Sequence, residues 1–390
     1  MKPRLVILSE IIAPYRIPVF NALAARDDIE PHVIFLSETD PHLRQWPVYK
    51  EEIHFSYQVL PAWRWRLGRY KLLTNRGVGA ALAQSRPQAI VCGGYNYPAS
   101  WQAARWAKHS RLPLLLWSES TAHDLRPDRR VVESMKSRFI QWCTAYVAAG
   151  KSSRQYLIRL GASPELVFTA PNAVDVNFYA TQSVRARTAA CEIRARHGLP
   201  ARYFLYSGRL VPEKGVFDLL AAYAKLAESE RSKIGLVFAG DGVSRSGLEE
   251  RAAIIRPGCV RFCGFVHREQ LAELYALAEA LVLPTHSDPW GLVINEAMAC
   301  GLPIIASAVA GCVPDLVRQE ENGFVVPPRD VEELARAMRR MSDPSMAAKL
   351  GENSARIIQA YTPETCAEGL AKAAAFACGE HGITKARNED

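Results

Sequence analysis

No run of about 18 consecutive apolar residues occurs in this 390-residue chain, so no segment reads as a bilayer-spanning helix. Low-complexity tracts are missing apart from the polar end ITKARNED, and no short-period repeat appears, which excludes fibrous and solenoid architectures. Paired metal-ligand spacings are missing too. The nine cysteines (Cys92, Cys143, Cys191, Cys259, Cys263, Cys300, Cys312, Cys366, Cys378) are odd in number and scattered through apolar contexts, as suits a reducing compartment. Cys259 and Cys263 stand four apart with no second Cys/His pair near them, so core packing explains them better than zinc. Neither common phosphate fingerprint is complete. AGKSS at 149–153 has Ala145 where a phosphate loop needs its first glycine, and GGYN at 93–96 lacks the remaining glycines of a dinucleotide motif. The start, MKPRLVILSEIIAPY, resembles a signal peptide, but Glu10 interrupts it and no small-residue cleavage site follows, so we read it as a first buried strand.

What is present fits a globular protein of two domains: 49% hydrophobic, 23% charged, and too long for one ordinary core. Short apolar runs alternate with amphipathic stretches, as in parallel sheets with crossover helices. RLVILS, PHVIFLS, AIVCGG, PLLLWS, AYVAAG and LVFTAP read as strands in the first half. YFLYSG, GLVFAG, VRFCGF, ALVLPT and PIIAS do so in the second, with helices such as GVFDLLAAYAKLAES and REQLAELYALAEA between them. The expected fold class is α/β: two Rossmann-like doubly wound domains with ligand loops at the carboxyl ends of their strands. The expected bounds are 1–185 and 201–365, with a charged, Ala-rich linker at 186–200 and a terminal helix and polar tail over 366–390.

The most informative segment is LVLPTHSDPWGLVINEAMACGLPIIAS at 281–307. Asp288 and Glu296 stand eight apart, and between them Gly291 opens an amphipathic helix. A helix start accepts anions, and an acceptor on each side suits a phosphate flanked by two hydroxyl-bearing rings, the shape of a nucleotide sugar. The plain alternatives are a solvated Glu296 and an Asp288 that only caps the helix. Upstream, YFLYSGRLVPEKG ends a strand at Ser207-Gly208 and presents Arg209 and Lys214 before Gly215 and a helix, which suits a diphosphate. AGDG at 239–242 offers Gly240 and Gly242 for close approach, though a plain tight turn explains it nearly as well; in GFVHRE at 264–269 Phe265 and Val266 could flank a base, though alone the fragment reads better as core and turn.

Taken in this order and spacing, SGRLVPEKG, AGDG, GFV and DPWGLVINEAMACGLPIIAS resemble the donor half of the family 4 retaining glycosyltransferases with the GT-B fold. PNAVDVNFY at 171–179 is similar to the segment before that family's linker, and the likeness is strongest over 145–365. The resemblance implies two domains facing across a cleft and transfer of a sugar from a nucleotide diphosphate with retention. Arg209 and Lys214 would meet the diphosphate, Glu296 the ribose, and Asp288 the transferred sugar. The amides of Gly291, Leu292 and Val293 would serve phosphate or sugar oxygens, with Gly208, Gly240, Phe265 and Val266 completing the donor site. One departure is Asp288, where the family commonly has glutamate; the shorter arm changes reach and bears on sugar choice. The family's His after a mid-domain strand has no obvious match in SESTAHD, where either Glu119 or His123 could face the reaction. The family's Gly-rich first loop is replaced by EIIAPYR, with Tyr15 and Arg16 shaping an acceptor pocket.

Charge is unevenly shared. Residues 1–200 have 27 Lys and Arg against 15 Asp and Glu, a net of +12, while the remainder is net −4. In the basic half, AWRWRLGRYKLL sets Trp63, Trp65 and Tyr70 among Arg64, Arg66, Arg69 and Lys71, a mixture suited to an anionic bilayer surface. The alternative is an exposed helix with its tryptophans packed inward. No nucleic-acid motif accompanies it, so no nucleic-acid partner is expected. The expected protein is thus a cytoplasmic, peripherally membrane-bound hexosyltransferase of surface-polysaccharide assembly, with a nucleotide-sugar co-substrate, a lipid-linked or other glycan acceptor, no cofactor and no metal. Its rivals are a nucleotide-sugar epimerase on the same fold and a non-catalytic nucleotide-sugar or lipid-binding protein.

Overall fold

The computed structural model describes residues 2–40, 46–67, 70–123, 129–255 and 258–388. Its strands are β1 (Arg4–Ser9), β2 (Glu30–Phe35), β3 (Ser56–Val59), β4 (Ala62–Leu67), β5 (Tyr70–Asn75), β6 (Ala89–Cys92), β7 (Leu114–Ser118), β8 (Ala145–Ala148), β9 (Val167–Thr169), β10 (Tyr203–Ser207), β11 (Gly235–Ala239), β12 (Val260–Gly264), β13 (Ala280–Leu283), β14 (Ile304–Ser307) and β15 (Gly323–Val326). They divide between two compact units. The first comprises 1–122, 126–174 and 363–390, and the second 123–125 and 175–362.

In the first unit a parallel sheet runs β3-β2-β1-β6-β7-β8-β9. The central positions of its inner strands, Leu5–Leu8, Ala89–Cys92, Leu114–Trp117 and Ala145–Ala148, are apolar and buried because both faces are covered. Along β1, Leu5 and Ile7 enter one core with Phe20, Leu23 and Val91, while Val6 and Leu8 enter the other with Ile90, Leu116 and Tyr146. This period of two divides one strand between two helical layers. The chain's last helix, Pro363–Asn388, returns to this unit and packs Cys366, Leu370, Ala373, Ala374 and Ala377 on the first of those cores. Small residues on that face let it lie close to the sheet.

The second unit's sheet runs β12-β11-β10-β13-β14-β15, also parallel. The order reverses between β10 and β13, so the crevice beyond their carboxyl ends is the topological switch point, where such sheets bind ligands.

Every strand expected from sequence is present, and β3, β4, β5 and β15 are additional. The bounds differ. The chain leaves the first unit at Val174, the expected linker 186–200 is helical up to Thr188 and again over Ala190–His197, and the terminal helix belongs to the first unit. The reason is packing: Tyr179, Ser183 and Ala186 bury the inner face of the helix Val176–Thr188 within the second unit. The Trp/Arg stretch is neither an exposed helix nor inward-packed. It forms the antiparallel hairpin β4–β5. Among the described residues no helix is long and apolar enough to cross a membrane.

Candidate functional site

At the second unit's switch point, the loop after β10 and the loop after β13 meet. The first holds its shape through main-chain bonds, Gly215 N–H to the Pro212 carbonyl at 3.0 Å and His286 N–H to the Glu213 carbonyl at 2.9 Å, the latter joining the two loops. Lys214 Nζ then reaches across to Asp288 Oδ2 at 2.7 Å and to the Ser287 carbonyl at 3.2 Å. Both side chains are largely buried, at 14% and 17% exposure, so this pair is screened less than a surface one. His286 Nε2 lies 2.7 Å from Asp218 Oδ2 on the helix Val216–Ala224, a second tie between the loops. Arg209 is half-exposed, 3.4 Å from Glu213, a separation at which a solvated pair contributes little. Its carbonyl accepts from the Tyr206 hydroxyl at 2.8 Å, which sets the course of the chain beyond Gly208.

Asp288 Oδ1 accepts from the Trp290 N–H at 3.2 Å, and Gly291 is the N-cap of the helix Leu292–Ala299. The first amides of that helix, Leu292 and Val293 among them, have no intrahelical acceptor and sit beside Asp288 in the chain. Glu296, one turn further, is half-buried, and its Oε2 accepts from the Tyr275 hydroxyl at 2.8 Å. Burial pushes its carboxyl up to about 7, against hydrogen bonds from Tyr275 and Tyr179 that act the other way. Gly240 N–H donates to the Gly264 carbonyl at 2.7 Å, which ties the loops after β11 and β12 together. Phe265 is 39% exposed, edge-on to His267 at 5.2 Å, and Val266 is half-buried.

The structure thus brings Lys214 and Asp288 into contact and leaves Arg209 on its own neighbour. Of the two first-half candidates, His123 groups with the second unit: its carbonyl accepts from Ser287 Oγ at 3.1 Å, one residue before Asp288. Glu119 lies in the first unit, ion-paired with Arg16. Arg16 also stacks over the Trp117 ring at 4.1 Å, and burial lowers its affinity for a proton. Tyr15 packs edge-on against Trp46 at 6.2 Å. These groups gather at the carboxyl ends of β1 and β7, next to that sheet's own reversal between β1 and β6.

On the hairpin, the register pairs Trp63 with Thr74 and Trp65 with Leu72. Trp63, Trp65 and Leu72 are 42%, 59% and 43% exposed, whereas Leu73 and Asn75 on the alternate positions are buried. Asn75 Nδ2 fastens this inner face by donating to the Leu36 and Pro61 carbonyls at 2.6 and 3.0 Å. Arg64 pairs with Asp40 at 3.4 Å. Arg69 and the side chain of Arg66 lie outside the described residues. Residues that sequence reasoning missed are Tyr179, Tyr275, Ser207, His286 and Asp218. All five stand in stretches quoted above, but nothing local in those stretches marks which partner each side chain meets.

The description "Glycosyl transferases group 1" matches residues 192–357 and "Glycosyltransferase Family 4" matches 20–178. A D-inositol 3-phosphate glycosyltransferase of Streptomyces bingchenggensis is 34% identical over 208 residues, 50% of this chain and 44% of that protein. The chain spans about half the length of the curated relatives it matches. Among solved structures, Anabaena HepE in complex with UDP aligns with a TM-score of 0.73 at 20% identity, covering 95% of this chain and 99% of that one. WaaG, a glycosyltransferase involved in lipopolysaccharide biosynthesis, aligns with a TM-score of 0.67 at 18% identity over 94% and 98%. At these identities the likeness speaks to the fold.

Proposed function

The chain belongs to the family 4 glycosyltransferases, whose models match it half by half, and from that premise we propose that it moves a hexose from a nucleotide-diphosphate sugar to a glycan acceptor with retention. The observation that supports this best is the Lys214–Asp288 contact at the switch point, beside the helix start at Gly291 and one turn from Glu296. In this reading the diphosphate competes with Asp288 for Lys214, Arg209 swings from its weak surface pair to the leaving phosphate, and Glu296 takes the ribose. The bond from the anomeric carbon to phosphate oxygen breaks, and the bond to the acceptor oxygen forms on the same face. The acceptor proton passes to the leaving phosphate. Fixed cations at that oxygen stabilise the charge that develops there. His123 is favoured over Glu119 near this centre, because Ser287 holds its main chain beside Asp288 while Arg16 occupies Glu119.

The test is nucleotide release from a panel of nucleotide sugars, with and without glycan acceptors and in the presence of EDTA. The expected result is acceptor-dependent release from one donor, unchanged by EDTA. Conversion of the sugar with donor alone would favour an epimerase, and binding without release under any acceptor would favour a non-catalytic protein.

The acceptor we propose is lipid-linked, in assembly of a cell-surface polysaccharide, with the protein bound peripherally at the inner face of the membrane. Trp63, Trp65 and Leu72 on one exposed face of a hairpin in the basic half support it, since indole rings favour headgroup depth and cations favour anionic lipid. WaaG offers a precedent of the same fold in lipopolysaccharide synthesis. Sedimentation with phosphatidylglycerol-containing vesicles should retain the wild type, and a Trp63→Ser/Trp65→Ser variant should lose most of that binding with its fold unchanged. Equal sedimentation of the two, or indifference to lipid charge, defeats the membrane assignment.

A further inference from the structure

His286 is tied to the chain after β10 twice, once on each side of Lys214. Its main-chain N–H donates to the carbonyl of Glu213, the residue before Lys214, at 2.9 Å. Its side chain passes beside Gly215, with Nε2 3.4 Å from where a Cβ on that glycine would stand, and meets Asp218 Oδ2 at 2.7 Å. Asp218 lies in the first turn of the helix Val216–Ala224, whose free N–H groups favour its negative charge. Both side chains are mostly shielded from water. The ring is a short strap across Lys214 and Gly215, anchored at both ends. The two residues that follow it then supply the acceptors for Lys214 Nζ, Ser287 with its carbonyl and Asp288 with its carboxylate.

The main chain under this strap is stiffened from within. The Thr285 hydroxyl is fully buried and lies 2.9 Å from the Ser287 carbonyl and 3.2 Å from the Glu213 carbonyl, placed to give its one proton to either. It accepts from the Ser287 N–H at 3.2 Å. On the other side, Lys214 N–H donates to the Val211 carbonyl at 3.0 Å and closes the turn Pro212–Lys214.

The His286–Asp218 pair joins the two loops without using the lysine's own side chain. In the proposed reaction the diphosphate displaces Asp288 from Lys214, so the contact that aims the ammonium in the free protein is lost at that moment. Lysine carries its charge on a flexible four-carbon stem, and Nζ then stays at the leaving oxygen only as well as its main chain is held. The strap holds that main chain against the loop after β13 whether or not Asp288 is engaged. Its side-chain bond needs a proton on Nε2, present in the charged ring and in one neutral tautomer, and an acceptor oxygen at position 218. We propose that His286 and Asp218 are positioning residues for the transfer, keeping Lys214 at the leaving phosphate once the donor has taken it from Asp288. This rests on the reading of Lys214 as the cation at that phosphate.

The test is nucleotide release, with the donor among UDP-glucose, ADP-glucose and GDP-mannose and the glycan acceptor that the wild type turns over. Asp218→Ala and His286→Ala should each lower kcat by roughly 10–100-fold, the effect of misplacing a reacting group by about an ångström. The donor KM should change by less than about threefold, since the loss falls on the transition state. Two milder variants keep the comparison open where an alanine variant fails to fold. His286→Gln sets an amide N–H at the reach of Nε2 and should recover most of the loss. His286→Asn sets its amide where Nδ1 stands, short of Asp218, and should not. In a Lys214→Ala background, Asp218→Ala should alter the residual turnover by less than about twofold, because a residue acting through the lysine has nothing left to place. A merely structural pair would lower the folded fraction and multiply in full with Lys214→Ala. Wild-type kcat in Asp218→Ala and His286→Asn, equal activity of the Gln and Asn variants, or an undiminished loss in the Lys214→Ala background overturns the strap and leaves the transferase reading standing. Failure of the wild type to turn over any of the three donors overturns that reading and the strap with it.

Discussion

Replacing Lys214 by alanine should reduce turnover by about 10³-fold or more while the protein remains folded. The argument is one of differential binding. In the ground state the diphosphate's charge is spread over two phosphates, and solvent meets part of it. In the transition state the charge concentrates on the leaving oxygen, and a fixed cation there is worth most. Lys214 is the better candidate for this task than Arg209, because it is largely buried and aimed by the contact with Asp288, whereas Arg209 is half-exposed on a 3.4 Å pair. The loss should therefore fall mainly on kcat, with a smaller rise in KM for the donor. The cost in stability should be modest. The substitution leaves Asp288 without its cation, but Oδ1 still accepts from the Trp290 N–H, and 17% exposure lets water reach the carboxylate. Lys214→Ala/Asp288→Asn removes the unpaired charge as well and should melt close to wild type while staying inactive. Wild-type turnover in Lys214→Ala would sink the assignment of this site.

Why these loops were legible in the sequence, and others were not, is a matter of range. The strands that were read are short apolar runs bounded by glycine and polar residues, and β1, β7 and β10 need no partner to be recognised. Sequence places Lys214 and Asp288 in one site, because strand ends in doubly wound sheets gather at a known edge, but not their direct ion pair. The hairpin was misread although its signal was local. Trp and Arg alternate with a period of two, as in a strand, but the tryptophans occupy the outer face, which ordinary burial patterning assigns to polar residues. The missed ties to Glu296 had no local signal. Tyr275 lies 21 residues away and Tyr179 lies on a helix that appeared to belong with the other half. Only tertiary packing gives a phenol in an apolar helix a carboxylate to bond. The terminal helix was likewise seen as a helix, while its return to the first unit depends on small residues meeting a sheet more than 200 positions earlier in the chain.

Gly215→Ala should be among the most damaging single changes outside the reacting groups, lowering stability by at least about 3 kcal/mol and abolishing turnover together. Two costs combine. Gly215 has φ of +68°, a left-handed conformation that costs an L-residue about 1–2 kcal/mol. Its added methyl would also collide with the Pro284 carbonyl, part of the chain leaving β13, which cannot turn aside as a flexible side chain does. Relief requires the loops after β10 and β13 to separate, and that breaks the Glu213–His286 main-chain bond and moves Lys214 away from Asp288. Gly301→Ala separates the two costs within the same unit. Gly301 has a similar φ of +77°, but its nearest neighbour to an added methyl is the Arg187 guanidinium at 3.7 Å, ordinary contact. That variant should lose only about 1 kcal/mol and keep its activity. If the two variants melt alike, backbone conformation alone accounts for Gly215 and the close approach of the two loops is not what fixes Lys214. If Gly215→Ala melts far below Gly301→Ala, the collision dominates, and the glycine is there so that two strand ends can approach closely enough for a lysine on one to meet an aspartate on the other.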